Sequence, residues 1–463
     1  MDFTAACEER VDQKQSCFLL LDDNYDDLNW RLALIDSARV SIDVQTYLWA
    51  RDFSGQLLFR RILAAAERGV RVRLLVDDFL TRRVDRVIAT LDHLPNVEIR
   101  LWNPGSQRQL GRNLEYLARL RELNHRLHNK VMIVDNLAFI SGGRNIGDAY
   151  FGLSSSYNFF DLDLLAVGPV VPPVSAMFDR YWNSPQAVPS FNFYSRATAE
   201  WIPRVKADLD ASLNASPLSD VVDVEHGEWS SRFEDGIATM VAGDAEVIYD
   251  KPGERAPSQH ALYGLKRFLD RAESEVQAAN AYLVPGEPFF NGARELEARG
   301  VDMAIITNSL GSTNQTIVHH AYSRARLPML EAGVDVFEMK YHPEIQSELD
   351  TPPIESSWVG LHAKAAVIDR EHVFIGSFNF SPRSRNLNTE MGILVHSPEF
   401  GEQTARVMDR LKSPENAWKL GIDDEGRLAW ESADGTLGSQ PSQSFWRNIQ
   451  NGVFGLFPLE QHL

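Results

Sequence analysis

The chain has 463 residues, with 64 acidic side chains against 46 lysines and arginines, a formal net charge of −18 and a sequence pI of about 5.1. That acidic balance argues against a nucleic-acid surface, which gains most of its affinity by setting basic groups against phosphates. No stretch of about eighteen apolar residues is present to cross a bilayer, and no group of residues has metal-ligand spacing, so neither a metal nor another cofactor is expected.

From the N-terminus, residues Met1 to Cys7 lack the basic and apolar regions of a secretory signal. Cys7 and Cys17, the only cysteines, read either as two reduced thiols or as a disulfide made in an oxidising compartment. Runs from Val40 to Tyr47 and from Val70 to Val76 predict buried strands, the second opened by Arg68-Gly69-Val70. Arg108, Arg112, Arg119, Arg121 and Arg126 then mingle with Leu110, Leu114, Leu117, Leu120 and Leu123. This helical-looking stretch reads either as an amphipathic helix packed on a core or as a surface for anionic lipid headgroups.

Next comes His128-x-Lys130-x-x-x-x-Asp135, followed by Gly142 and Asn145. The same set recurs as His362, Lys364, Asp369, Gly376 and Asn379, each 234 positions after its counterpart. A lone His-x-Lys is usually a solvated strand edge and a lone Gly-x-x-Asn a turn. Both repeated at one offset, with apolar residues drifting between them, mark duplicated chemistry. The apolar runs Val131–Val134 and Ala365–Ile368 predict strands buried on both faces, with a tight turn at each Asp and a second strand ending at each Gly. Alternation on the first strand would aim His128 and Lys130 at one ligand, a phosphate-binding geometry.

The repeat extends further. Arg299-Gly300-Val301 opens a strand as Arg68-Gly69-Val70 does, and Tyr282 closes a run from Val276 as Tyr47 closes its own. Each half therefore predicts an α/β layered domain. The first covers 1–196, ending in a helix around Ser175 to Trp182, and the second covers 245–418. A polar linker with a short helix, 197–244, joins them. The tail, 419–463, carries Phe445, Trp446, Ile449, Val453, Phe454, Leu456 and Phe457 at helical spacing, which suits either core packing or contact with a membrane.

Two His-x-Lys-x-x-x-x-Asp copies, followed here by Gly142-Gly143-Arg144-Asn145 and Gly376-Ser377-Phe378-Asn379, resemble the defining pattern of the phospholipase D superfamily. The stretches 43–47, 68–75, 142–151, 307–310 and 388–390 are similar to its bacterial cardiolipin synthase C type. The resemblance implies two α/β/α sandwich domains related by a pseudo-two-fold axis, with the active site at their interface. It also implies a phosphatidyltransferase that makes cardiolipin from phosphatidylglycerol and a donor, phosphatidylethanolamine or phosphatidylglycerol, through a phosphohistidine. Hydrolysis of phospholipids to phosphatidic acid and nucleic-acid cleavage share this catalytic core and stand as alternatives. The expected partners are phospholipids and a membrane surface, not nucleic acid. The expected place is the bacterial inner membrane, peripherally on its cytoplasmic face, or on the periplasmic face if a leader has been removed.

A phosphodiester repels nucleophiles, so its cleavage needs a nucleophile, an acid for the leaving alcohol and cations on the non-bridging oxygens. Two histidines supply the first two. Lys130, Lys364, Asn145 and Asn379 would hold the phosphoryl oxygens. The symmetry of the motifs leaves the histidine roles open; the resemblance implies His128 as nucleophile and His362 as acid and base. Asp161 and Glu390 are expected to orient the imidazoles. Asp135 and Asp369 complete the catalytic motifs from the turns, where bracing is expected of them rather than reaction.

Overall fold

In a computed structural model, residues 15–80, 85–105, 115, 119–193, 197–225, 227–252 and 258–443 are described. The first half contains strands β1 (Ser16–Leu21), β2 (Ser41–Thr46), β3 (Arg71–Asp77), β4 (Val97–Trp102), β5 (Val131–Val134), β6 (Ala138–Gly142) and β7 (Asp163–Val167). The second repeats them as β8 (Val241–Tyr249), β9 (Glu275–Asn280), β10 (Asp302–Asn308), β11 (Val334–Met339), β12 (Lys364–Ile368), β13 (His372–Gly376) and β14 (Met391–His396). Within each half β2, β3 and β4, or β9, β10 and β11, run parallel, and the motif hairpin adds antiparallel strands beside β2 or β9. The two sheets join where β1 pairs antiparallel with β8.

The repeated Arg-Gly-Val has a backbone cause. Helices α1 (Asn24–Ser37) and α2 (Phe53–Glu67) lie in the first half, and Gly69 follows α2 with φ +97°. Gly300 follows the corresponding second-half helix, Glu287–Ala298, with φ +76°. Only glycine reaches this left-handed conformation without strain, and it turns the chain from helix into strand.

The apolar strand runs face two cores. Val131 and Ile133 of β5 enter a core shared by both halves, whereas Met132 and Val134 enter the outer core of the first half. In β12, Ala365 and Val367 enter the shared core, and Ala366 and Ile368 the second half's outer core. Helix α3 (Val171–Trp182) and helix α4 (Pro398–Lys412) fill the shared core between the sheets, with Phe18 and Phe400 rings 5.7 Å apart. The architecture is thus α/β, each sheet having an outer helical layer and both sharing an inner one.

The segment expected as a linker with a short helix is more structured than that. It contains helices Ile202–Asn214 and Ser230–Thr239, and Leu213, Val222 and Phe233 pack into the first half's outer core. Strand β8, which runs through the expected boundary at Ala245, starts at Val241. Past Trp418 the chain continues the second sheet, because Ala417–Ile422 pairs with β11 and then with Leu428–Ser432. The apolar positions 445–457 lie outside the described residues, as do Arg108, Leu110, Arg112, Leu114 and Leu117. Arg126, from that same stretch, is buried against Asp77 at 3.2 Å and so faces no lipid.

Candidate active site

His128 and Lys130 sit just before β5 rather than on it, and His362 just before β12. The chain leading to each histidine is held by the opposite half. Arg126–Leu127 pairs parallel with Asn388–Thr389, and the His128 N–H donates to Thr389 O at 3.1 Å. Val359–Leu361 pairs parallel with Asn158–Phe160, and the His362 N–H donates to Phe160 O at 2.8 Å. One residue beyond each short ladder stands a carboxylate, Glu390 or Asp161. Each half therefore delivers a carboxylate to the other half's histidine.

His128 Nδ1 lies 2.8 Å from Glu390 Oε2 and 3.1 Å from Ser377 O. A carbonyl can only accept, so Nδ1 carries the proton and the lone pair sits on Nε2. His362 Nδ1 lies 2.6 Å from Asp161 Oδ2 and 3.0 Å from Lys364 Nζ. Both histidines are buried, 7% and 3% exposed.

Burial pushes His128 down to about 4, Glu390 opposing and Lys130 and Lys364 adding to the effect. Burial and then Lys364 push His362 down to about 3, with Asp161 opposing and Lys130 contributing. Lys130 falls to about 7, mainly by burial, and Lys364 to about 8 for the same reason. Burial alone would raise Glu390, but His128 and Lys130 hold it below the usual carboxylate range. Burial would likewise raise Asp161, which His362 and Lys364 hold down. The ammonium of each motif acts on the histidine of the other, so the two motifs form one electrostatic cluster.

Tyr47 meets His128 edge-on with ring centroids 5.2 Å apart, and Tyr282 meets His362 at 5.9 Å. Tyr150 also packs on His362, at 5.1 Å, and its hydroxyl accepts from Asn145 Nδ2 at 2.9 Å. Tyr150, Ser377 and Ser384 carry no signal of their own in the sequence, apart from the place of Ser377 in its motif. Oδ1 of Asn145 and Oδ1 of Asn379 are each buried without a hydrogen-bond partner.

Asp135 and Asp369 are not with the histidines. Each opens a turn whose two central residues have positive φ, Asp135 at 54° and Asn136 at 56°, Asp369 at 52° and Arg370 at 54°. Asp135 accepts the backbone N–H groups of Arg39, Val40 and Ser41, and Asp369 those of Glu273, Ser274 and Glu275. They lock the far end of each motif hairpin onto the approach to the neighbouring strand.

Residues 32–182 and 265–412 match the family described as "Cardiolipin synthase, PLD-like domain". The chain is 36% identical over 442 residues to cardiolipin synthase C of Escherichia coli strain K12, covering 93% of this chain and 92% of that one. It is 31% identical to an uncharacterized protein of Helicobacter pylori strain 26695, over 90% of this chain and 83% of the other. Among solved structures, the phosphatidylserine synthase of Haemophilus influenzae Rd KW20 superposes with a TM-score of 0.60 at 13% identity, covering 90% of this chain and 92% of that chain, a likeness of fold.

Proposed function

Because the chain belongs to the cardiolipin synthase family with phospholipase D-like domains, we propose that it transfers a phosphatidyl group to a lipid alcohol, making cardiolipin from phosphatidylglycerol and a phospholipid donor. The observation that carries this reading is the crossed pair of imidazoles, each with Nδ1 against a buried carboxylate of the opposite half.

His128 attacks the donor phosphorus through Nε2, the P–O bond to the leaving alcohol breaks, and that oxygen takes a proton from His362, whose imidazolium the negative charge of the bound phosphodiester and Asp161 would favour over its state in the empty site. The phosphatidyl group then rests on His128. The hydroxyl of phosphatidylglycerol next gives its proton to His362 as its oxygen attacks phosphorus, and His128 is released. The presence of acceptors alone on His128 Nδ1 supports its role as nucleophile. Lys130 and Lys364 would neutralise the non-bridging oxygens, and the Nδ2 amides of Asn145 and Asn379 would donate to the same oxygens and complete the cradle.

Hydrolysis to phosphatidic acid differs only in that water replaces the lipid alcohol. The acidic balance disfavours nucleic acid as substrate. No helix among the described residues is long and apolar enough to cross a membrane, which suits peripheral attachment at the bacterial inner membrane. Cys17 is disulfide-bonded, while Cys7, the other cysteine of the chain, lies outside the described residues. Supplying labelled phosphatidylethanolamine with phosphatidylglycerol and following products by mass tests the function. Labelled cardiolipin that rises with phosphatidylglycerol is the expected result; phosphatidic acid alone at every acceptor concentration would replace transfer by hydrolysis.

A further inference from the structure

We propose that Glu371, His372 and His396 form a binding site for a divalent transition metal of the zinc type, at the end of the second sheet away from the catalytic histidines. His372 opens β13, His396 closes β14, and the two are directly opposed in the antiparallel register. Their rings stack with centroids 4.5 Å apart, and their Nδ1 atoms lie 3.0 Å from one another. Glu371 Oε1 is 3.4 Å from His396 Nδ1, and the three donor atoms all lie within 4.8 Å.

Two of those separations fit one ion, and the Glu371–His372 pair, within 4.8 Å, would close on it by rotation of the Glu371 side chain. Ligands at about 2.0–2.1 Å from zinc in a tetrahedron stand ~3.3 Å apart. The imidazole contact is a few tenths shorter than that edge and the carboxylate contact close to it. Two neutral imidazoles with their protons on Nε2 would each free Nδ1 as a donor, the rings rotating from their present 21° interplanar angle to converge on one ion, and Glu371 brings the anionic oxygen. Three protein ligands leave room for a water or an incoming group. All three residues are accessible, Glu371 and His372 half-buried and His396 exposed.

The scaffold does not require this pair. At the same places the first half carries Leu137, Ala138 and Val167, with Ala138 and Val167 opposed as His372 and His396 are. The pair lies four strand residues from Gly376, about 13 Å along β13, so an ion here would touch no reacting atom. It would tie the distal end of the second motif hairpin to β14, beside the turn held by Asp369. This inference stands apart from the phosphatidyl-transfer reading.

The test uses the full chain without an affinity tag, stripped by a chelator and titrated with zinc chloride and, separately, cobalt chloride. One equivalent of zinc should bind and raise the melting temperature, and cobalt should give the intense visible bands of a tetrahedral site. His372→Ala and His396→Val, which install the first half's own residues, should each lose the stoichiometric site and the cobalt bands while keeping their circular dichroism spectrum. Glu371→Gln should bind more weakly. No stoichiometric uptake by the wild type would show that the two Nδ1 atoms share only a hydrogen bond, and undiminished uptake in both histidine variants would place the metal elsewhere; either result overturns the proposal.

Discussion

The two halves carry the same reacting groups on different supports. Beneath the first motif, Arg144 is fully buried and its guanidinium lies 3.5 Å from Asp27 and 3.9 Å from Asp163, while Arg31 pairs with both carboxylates. Burial and Asp27 push Asp163 up to about 7 despite those arginines. Arg144 also donates to Asn24 Oδ1, and Asn24 donates in turn to Phe159 O and to Leu349 O of the other half. Beneath the second motif, Phe378 stands where Arg144 does and Gly392 where Asp163 does, and a Cβ on Gly392 would meet the Phe374 ring at 2.1 Å. Duplication held the chemistry fixed while one support became ionic and the other apolar. On the proposed reading, the groups that would face phosphorus are kept in both halves, while what lies beneath them is open to any packing that holds their positions.

If the chemistry is shared equally, the largest effects should be symmetric. His128→Ala and His362→Ala should each cut turnover by on the order of 10⁴-fold or more with an unchanged circular dichroism spectrum. Full activity in either folded variant would mean that one half works alone.

The supports, in contrast, should respond unequally. Arg144→Met leaves Arg31 as the only guanidinium beside Asp27 and Asp163 among the described residues and breaks the hydrogen bonds to Leu21 O and Asn24, and should destabilise the protein by about 3 kcal/mol. Phe378→Leu keeps most of the apolar volume and should cost less than about 1.5 kcal/mol. Denaturant midpoints and slopes decide this, and equal losses would erase the distinction between the supports.

The carboxylates differ as well. Ser377 and Ser384 donate to Glu390 at 2.5 and 2.6 Å. Asp161 has no such hydroxyl, because Gly143 occupies the place of Ser377 and a Cβ there would come within 2.1 Å of Asp161 Oδ1. Gly143→Ser should therefore displace Asp161 and lower kcat about 10²-fold, whereas Ser377→Gly, losing one hydrogen bond of ~1 kcal/mol, should lower it about fivefold. A larger loss from Ser377→Gly than from Gly143→Ser would reverse the comparison.

The last difference is one of pH. Both histidines have folded values, about 4 and about 3, below the ordinary value of 6.5. The unfolded chain therefore binds more protons between these limits, so the stability is full above pH 6.5 and is lost as pH falls through 4 and then 3. Both contribute between pH 6.5 and 4 and His362 alone between 4 and 3, so His128→Ala should flatten the limb above pH 4 and His362→Ala the limb down to pH 3, as read from melting temperatures across pH. An unchanged limb in both variants would assign acid lability elsewhere.

Much of the site was legible because its signal is local. His128, Lys130 and Asn145, and their partners 234 residues on, form two short patterns whose repetition needs no third dimension. Arg-Gly-Val was legible because one backbone angle demands glycine. Asp161 and Glu390 were recognisable as acidic residues near the motifs, but which histidine each serves depends on the parallel ladders that cross between the halves. The ion network of Arg31 and Arg144, the hydroxyl of Ser384 and the opposed pair His372 and His396 depend on tertiary contacts that no spacing encodes. The helices of 202–214 and 230–239 read as linker because their polarity is high: Leu213 and Phe233 are the hydrophobic side chains they bury fully, and others such as Val205 and Leu209 pack on the core only in part.

The account rests on two motifs making one site with one covalent histidine. Rapid mixing with labelled phospholipid donor in the absence of acceptor, alkaline quenching and peptide mapping measures this directly. One phosphatidyl adduct per chain on His128, missing from His128→Ala and formed far more slowly in His362→Ala, is the predicted result. Adducts on His128 and His362 of the same chain, or transfer without any adduct, would contradict it.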